Sequence, residues 1–402
     1  MIEESSEQAV TRQEPQKIWN KMFISLFFTN LALNMGMFMS SSLLSVYINS
    51  LGAQASTIGM VMGAFTISSI SLRLVSAPVM DTYNRKYIVG FASVLLATAF
   101  FGFSMSKNIP GLVLFRVVQG AGMAFGNACC LAMVSETLPR DKYSRGLGYY
   151  SLAQTMCQAT GPLVGLTLAG WVGYSMTFAI TAVVMLVSAL LAFQIKNEFK
   201  QTKKLKLTFN NIFAKEALLP ASIIFVLVIG GSAVNSFVVI FAGNQGVTSN
   251  IGLYFTTTAA MMLITRPLVG KLTDRFGIVK ILIPALLCNV LSFFIISGSS
   301  TLISFLLAAL ISAFGQGACH PAMLALSMKS VPNDRRGAAS STNYIGQDLG
   351  VMAGPVIAGN IAQAFGYVTM WHVMTIPFVL GMVLVFVCRH RISRIEKNFN
   401  AG

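Results

Sequence analysis

The stretch RPLVGKLTDRFG, Arg266 to Gly277, places an arginine and an aspartate eight residues apart at the end of an apolar run. Eight helical residues rise about 12 Å. With the aspartate at a membrane surface, the arginine lies well inside the hydrocarbon, where charge is expensive and usually functional. A second stretch, RLVSAPVMDTYNRK, Arg73 to Lys86, has nearly the same arrangement. The two together ask whether the chain is a membrane protein built from a repeated unit.

Composition answers the first half of that question. The 402 residues are 55% hydrophobic and 10% charged, with a mean hydropathy of +0.70. A soluble domain carries roughly a quarter charged residues, so a soluble enzyme is excluded. Apolar runs long enough to cross a core of about 30 Å recur along the chain. They predict twelve helices, near 22–48, 57–80, 87–105, 111–135, 146–170, 174–194, 218–241, 250–272, 279–297, 302–327, 338–364 and 369–388. The fold class expected is therefore an all-α membrane protein. A charged tail, 1–21, precedes the first span and lacks a small-residue cleavage site, so no signal peptide is read there.

The net charge of +15 suggests nucleic acid until its distribution is considered. Of the 28 Lys and Arg, 24 fall in the two tails and in alternate loops; Lys107 stands alone in an opposite-side loop, and Arg73, Arg116 and Arg266 lie within spans. That is a topology signal. By the positive-inside rule both termini are cytoplasmic, which predicts a multi-pass protein of a bacterial cytoplasmic membrane with the bilayer, not nucleic acid, as its macromolecular surroundings. The six cysteines all fall inside spans, without metal-ligand spacing, and read as small packing residues. No metal or cofactor is expected.

The longest polar interval, 196–217, divides the spans six and six. Shifting the sequence by 193 aligns Arg73 with Arg266, Asp81 with Asp274, Pro139 with Pro332, Gly161 with Gly354 and Pro162 with Pro355. Five landmarks at one offset mark a duplicated six-helix unit, a hallmark of transporters. The expected organisation is a tail at 1–21, halves at 22–195 and 218–388 joined by a cytoplasmic linker at 196–217, and a cytoplasmic tail at 389–402.

Several short patterns then point to one family. The second half carries Gly270, Asp274, Arg275, Gly277 and Lys280; the first keeps Asp81, Arg85 and Lys86 but has Ala77, Thr82 and Asn84 at the other positions. Helix 4 has Arg116-x-x-Gln119-Gly120-x-Gly122. Helix 5 has Gly148, Cys157, Gly161, Pro162 and Gly165, and helix 11 repeats its core as Gly350, Gly354 and Pro355. These resemble the loop signature, the helix 4 motif and the helix 5 antiporter motif of the major facilitator superfamily, and specifically its drug/proton antiporter branch. Cys157 and Leu166 replace two glycines of the last motif. The resemblance covers essentially the whole chain.

The resemblance implies a cytoplasmic gate in which Asp81 packs on the start of helix 11 and Arg85 pairs with Glu136. The second half has Ile278 and Lys329 at the two pairing positions, so both partners are missing together. Asn84 stands where the turn glycine falls, and Asn tolerates a left-handed turn. The alternative is that these charges fix topology only. The Gly-Pro segments read either as ordinary close packing or as hinges, since Pro removes a helix hydrogen bond.

Polar residues inside the spans are uneven. Asn30 and Asn34, Arg116, Gln119 and Asn127, Gln154 and Gln158, Asn235, Gln316 and His320, and Asn343, Gln347 and Asp348 lie on helices 1, 4, 5, 7, 10 and 11. Most recur at helical spacing. Those helices are expected to line a substrate cavity, with 3, 6, 9 and 12 facing lipid. Asp348 falls about 15 Å deep, either as a carboxylate that takes up and loses a proton or as one half of a static pair with an arginine such as Arg116. His320 is a second proton candidate or a packing residue. Arg73 and Arg266 either snorkel or hold an anionic substrate.

The reading is a secondary transporter without its own nucleotide-binding loop, coupled to protons and exporting a small amphipathic compound. A nutrient importer or uniporter of the same fold is the alternative. A membrane enzyme or sensor is disfavoured because the three histidines are dispersed and no nucleophile cluster appears. The protein is expected to act as a monomer.

Overall fold

The computed structural model describes residues 18–138, 143–195, 213–332 and 336–401. The first half comprises α1 (Lys21–Ser50), α2 (Ala55–Thr82), α3 (Arg85–Met105), α4 (Ile109–Thr137), α5 (Tyr143–Val172) and α6 (Tyr174–Phe193). After a single 3-10 turn at Lys215–Ala217, the second half comprises α7 (Leu218–Asn244), α8 (Leu253–Phe276), α9 (Ile278–Ser297), α10 (Leu302–Lys329), α11 (Arg336–Val373) and α12 (Ile376–Val387). A further helix, α13 (Arg389–Ala401), follows. The twelve expected spans thus appear in order, as two six-helix halves. The N-terminal tail up to residue 17 and the linker residues 196–212 lie outside the described residues.

Local chemistry sets the helix starts. Asn20 accepts from the Phe23 amide at 2.8 Å, and Asn108 accepts from the Gly111 amide at 2.9 Å. Each satisfies an amide that the first helical turn leaves without a partner. Thr301 and Ser304 cap α10 reciprocally. Gly173 and Gly366 are 193 residues apart, and both adopt a positive φ, 81° and 83°. Each interrupts the helical path at the equivalent place: Gly173 between α5 and α6, and Gly366 within α11, which it kinks between residues 336–365 and 367–373. Only glycine takes that conformation without strain, so the offset that aligned motifs also aligns backbone geometry.

One expectation is corrected. Asn84 does not take a left-handed turn; at φ −64° and ψ 117° it is extended and caps α3, accepting from the Lys86 amide. The glycine of the second half, Gly277, is the one that turns left-handed, at φ 85°. Residues 389–401, expected as a cytoplasmic tail, form α13. Ile392 is fully buried, and Glu396 accepts from the Ile278 amide at 3.1 Å, capping α9 where Gly277 has no side chain to do so.

Large apolar side chains stand exposed on α3, α6, α9 and α12, including Phe91, Val183, Leu287 and Val383. Among the described residues these surfaces meet no protein, and they suit lipid. Both described chain ends and the loops α2–α3 and α8–α9 lie at one end of the bundle, here the terminal end; the loops α1–α2 and α7–α8 lie at the far end.

Candidate functional site

The halves meet along α2 with α11 and α5 with α8. At the far end these contacts are backbone-close. A Cβ added to Gly59 of α2 would collide with the Pro355 carbonyl of α11, and one on Gly359 with the Ala55 carbonyl. On the other side, a Cβ on Gly252 would lie 2.8 Å from the Leu163 Cα. Gly59 and Gly252 are themselves 193 apart. Hydrogen bonds reinforce both contacts: Gln363 Nε2 donates to Gln54 Oε1 at 2.8 Å, and Thr256 Oγ1 donates to the Ala159 carbonyl at 2.7 Å.

Towards the terminal end, α2 and α11 are joined by charge. Arg73 Nη1 lies 2.5 Å from Asp348 Oδ2. Arg73 is nine residues before the end of α2, and Asp348 is twelve residues into α11. By helix rise these are about 14 and 18 Å from the terminal end, inside the membrane span. The side chains are 36% and 18% exposed, so the pair borders solvent without lying open to it.

Arg116 is therefore not the partner of Asp348. It is buried within the first half, where Nη1 donates to Gln119 Oε1 at 2.6 Å and the guanidinium stacks over Phe65 at 4.9 Å. Gln119 Nε2 in turn donates to Ser40 Oγ at 2.9 Å. The chain ties α4 to α1 and α2 through neutral partners. Which arginine meets an acid depends on which helices are neighbours, and α4 does not adjoin α11.

A cavity of about 70 Å³ lies between the halves, lined by Phe38, Gln158, Asn235, Phe255, Thr258 and Gln316 among others. Three of the amides expected at a cavity are gathered here. The aromatic walls Tyr254 and Phe255 were not foreseen, because an apolar residue on an apolar helix carries no sequence signal of facing a cavity. Gln154 is exposed, and Gln347 is half-buried on α11. Asn34, Gln119 and Asn343 are corrected from cavity walls to packing ties. All three are buried, with Asn34 donating to Asn30 and Asn343 donating to Ser327 Oγ on α10 at 3.0 Å. Asn127 is half-buried, with its Oδ1 unsatisfied.

Arg266 and His320 stand on the terminal side of this cavity. Arg266 is two turns beyond Thr258 on α8, and His320 is one turn beyond Gln316 on α10. The helices touch at this level through Thr265, which donates to the Ala313 carbonyl and packs on Gly317. Arg266 reaches the Met262 sulfur at 4.0 Å.

The expected gate residues occupy the terminal-end turns. Lys86 lies over the Tyr87 ring and Arg275 over the Phe276 ring; Lys280 is exposed, and Gly270 meets nothing within 4 Å. The Arg85 carbonyl accepts from Cys129 Sγ. The side chains of Asp81, Asp274 and Glu136 lie outside the described residues, and Gly148 is placed only as part of α5. The Gly-Pro segments sit at helix crossings. Gly161 and Gly165 of α5 lie against Phe38 and Met39 of α1; Gly350 and Gly354 of α11 lie against Phe225, Val228 and Ile229 of α7. Among the described residues no group of His, Cys, Asp and Glu is placed to hold a metal.

Comparison with known proteins agrees with this architecture. The chain is 24% identical to the multi-drug resistance efflux pump PmrA of Streptococcus pneumoniae, covering 80% of this chain and 84% of that one. It is 28% identical to the multidrug resistance protein MdtG of Enterobacter lignolyticus, covering 90% and 88%. A crystal structure of a bacterial homologue of the human lysosomal transporter Spinster, inward-facing and unoccupied, superposes with a TM-score of 0.81 at 15% identity, covering 95% and 99%. The family model of the Major Facilitator Superfamily matches residues 26–246 and again 220–401. With both halves so matched, the chain belongs to the Major Facilitator Superfamily: it is a multi-pass membrane transporter, not an enzyme.

Proposed function

We propose that this transporter exports small amphipathic organic compounds in exchange for protons, with Asp348 carrying the proton and Arg73 responding to its charge. The observation that carries the reading is the Arg73–Asp348 pair, which joins the two halves inside the membrane span. Each half must move against the other for a central site to face the two sides in turn. An ionised Asp348 holds α11 to α2. A proton on Asp348 removes its charge, releases Arg73 and frees the two helices to separate at that level.

The export direction rests on the efflux pumps among the relatives. By the positive-inside rule the terminal end lies in the cytoplasm, so the glycine-lined contacts at the far end close the outer side. The cavity behind them offers amides and aromatic rings, which accept molecules of mixed polarity. The protein works as a monomer, each chain holding a complete cavity.

Everted vesicles test the reading. With an imposed inward-acid gradient they should accumulate a substrate found by an efflux screen in a host lacking its own exporters, and a protonophore should abolish accumulation. Equilibration without accumulation, unaffected by the protonophore, would instead favour a uniporter.

A further inference from the structure

Arg73 and Arg266 occupy the same place in the two halves, yet their surroundings differ. The two-fold relation that carries Arg73 to Arg266 carries Asp348 back to residue 155, which is Thr155 on α5. Arg73 therefore finds a carboxylate across the half interface, whereas the position equivalent to that carboxylate in the other half carries a hydroxyl. Arg266 is exposed, ten residues from the end of α8, or about 15 Å deep. His320, nine residues from the end of α10, stands at the same depth on a helix that packs against α8. Among the described residues, no acid pairs with Arg266. A guanidinium at that depth, with no acid beside it among the described residues, calls for an anion to neutralise it.

The neighbouring space sets what else that anion must carry. The cavity containing Phe38, Phe255 and Thr258 begins about two helical turns, roughly 11 Å, further along α8. We propose that Arg266, with His320 beside it, binds the acidic end of an amphipathic organic anion whose apolar body enters this cavity. The substrate class is then an aryl or alkyl carboxylate, sulfonate or phosphate spanning about 10 Å from acid to apolar end. The inference deepens the transport reading and rests on it for the site being a substrate site. It does not depend on which residue carries the proton.

Equilibrium binding to the full chain in nanodiscs tests the assignment without any gradient. The probes are a naphthalene sulfonate and the uncharged naphthyl methyl sulfone of the same size. Wild type and Arg266→Lys should bind the sulfonate, while Arg266→Gln and Thr155→Asp should bind it at least tenfold more weakly. Thr155→Asp acts by supplying the missing acid and occupying Arg266. The sulfone should bind all four alike. Equal sulfonate affinity in wild type and Arg266→Gln, as expected if lipid phosphate neutralises Arg266, would overturn the proposal. So would a parallel loss of sulfone binding, which would make Arg266 a structural residue. Gradient-driven accumulation in vesicles is read separately, so a failure of proton coupling leaves this result standing, and the reverse.

Discussion

Gly59 of α2 lies against the Pro355 carbonyl of α11 with no room for a Cβ, and Gly252, its counterpart 193 residues on, lies against Leu163 of α5. The far end is thus closed by two backbone contacts related by the duplication. Because the opposing atoms are backbone, they cannot turn aside as a side chain would. Gly59→Ala and Gly252→Ala should each destabilise the state closed at the far end. In a background lacking the native cysteines, a cysteine at Gln54 should then react faster with an impermeant maleimide, and transport should fall several-fold. Unchanged reactivity in both variants would show that these glycines do not form the seal.

The sidedness assigned from loop charge has a direct check. A cysteine at Ser249, exposed at the far end, should be labelled from outside intact cells. One at Lys280, exposed at the start of α9, should be labelled only after permeabilisation. The reverse pattern would invert the orientation and, with it, the direction in which the closed end faces.

The Glu396 contact with the Ile278 amide gives α13 a role in holding the second half. Loss of a helix-capping acceptor costs about 0.5–2 kcal/mol. Glu396→Ala should lower the thermal midpoint by a few degrees, with Glu396→Gln, which retains an acceptor oxygen, losing less. Equal stability of all three proteins would reduce the contact to a surface coincidence.

How far the sequence carried the fold varies by feature. Duplication was readable because identical landmarks recur at one offset, and Gly173 and Gly366 extend it to backbone conformation. The α13 helix was overlooked because Ile392, Ile395 and Glu396 lie among five basic or histidine residues, which read as a cytoplasmic topology signal. Asp348 and Arg73 were each singled out by the cost of charge at depth, but not as partners. Pairing requires knowing that α2 adjoins α11, and a single sequence contains no such information. The amides divided unexpectedly for a related reason: helical spacing puts Asn34, Gln158 and Asn343 on inward faces, and only packing decides whether such a face meets a cavity or a neighbouring helix.

The most direct test of the central claim is Asp348→Asn, which keeps the shape of the side chain and removes its charge. Two transport modes should be compared in vesicles: accumulation driven by a proton gradient, and exchange of labelled for unlabelled substrate without one. Asp348→Asn should lose gradient-driven accumulation by tenfold or more while retaining exchange, because the halves can still move but no proton is carried. Arg73→Gln should weaken coupling without abolishing exchange. If Asp348→Asn accumulates substrate against a gradient as wild type does, Asp348 does not carry the coupling proton, and His320 becomes the residue to test.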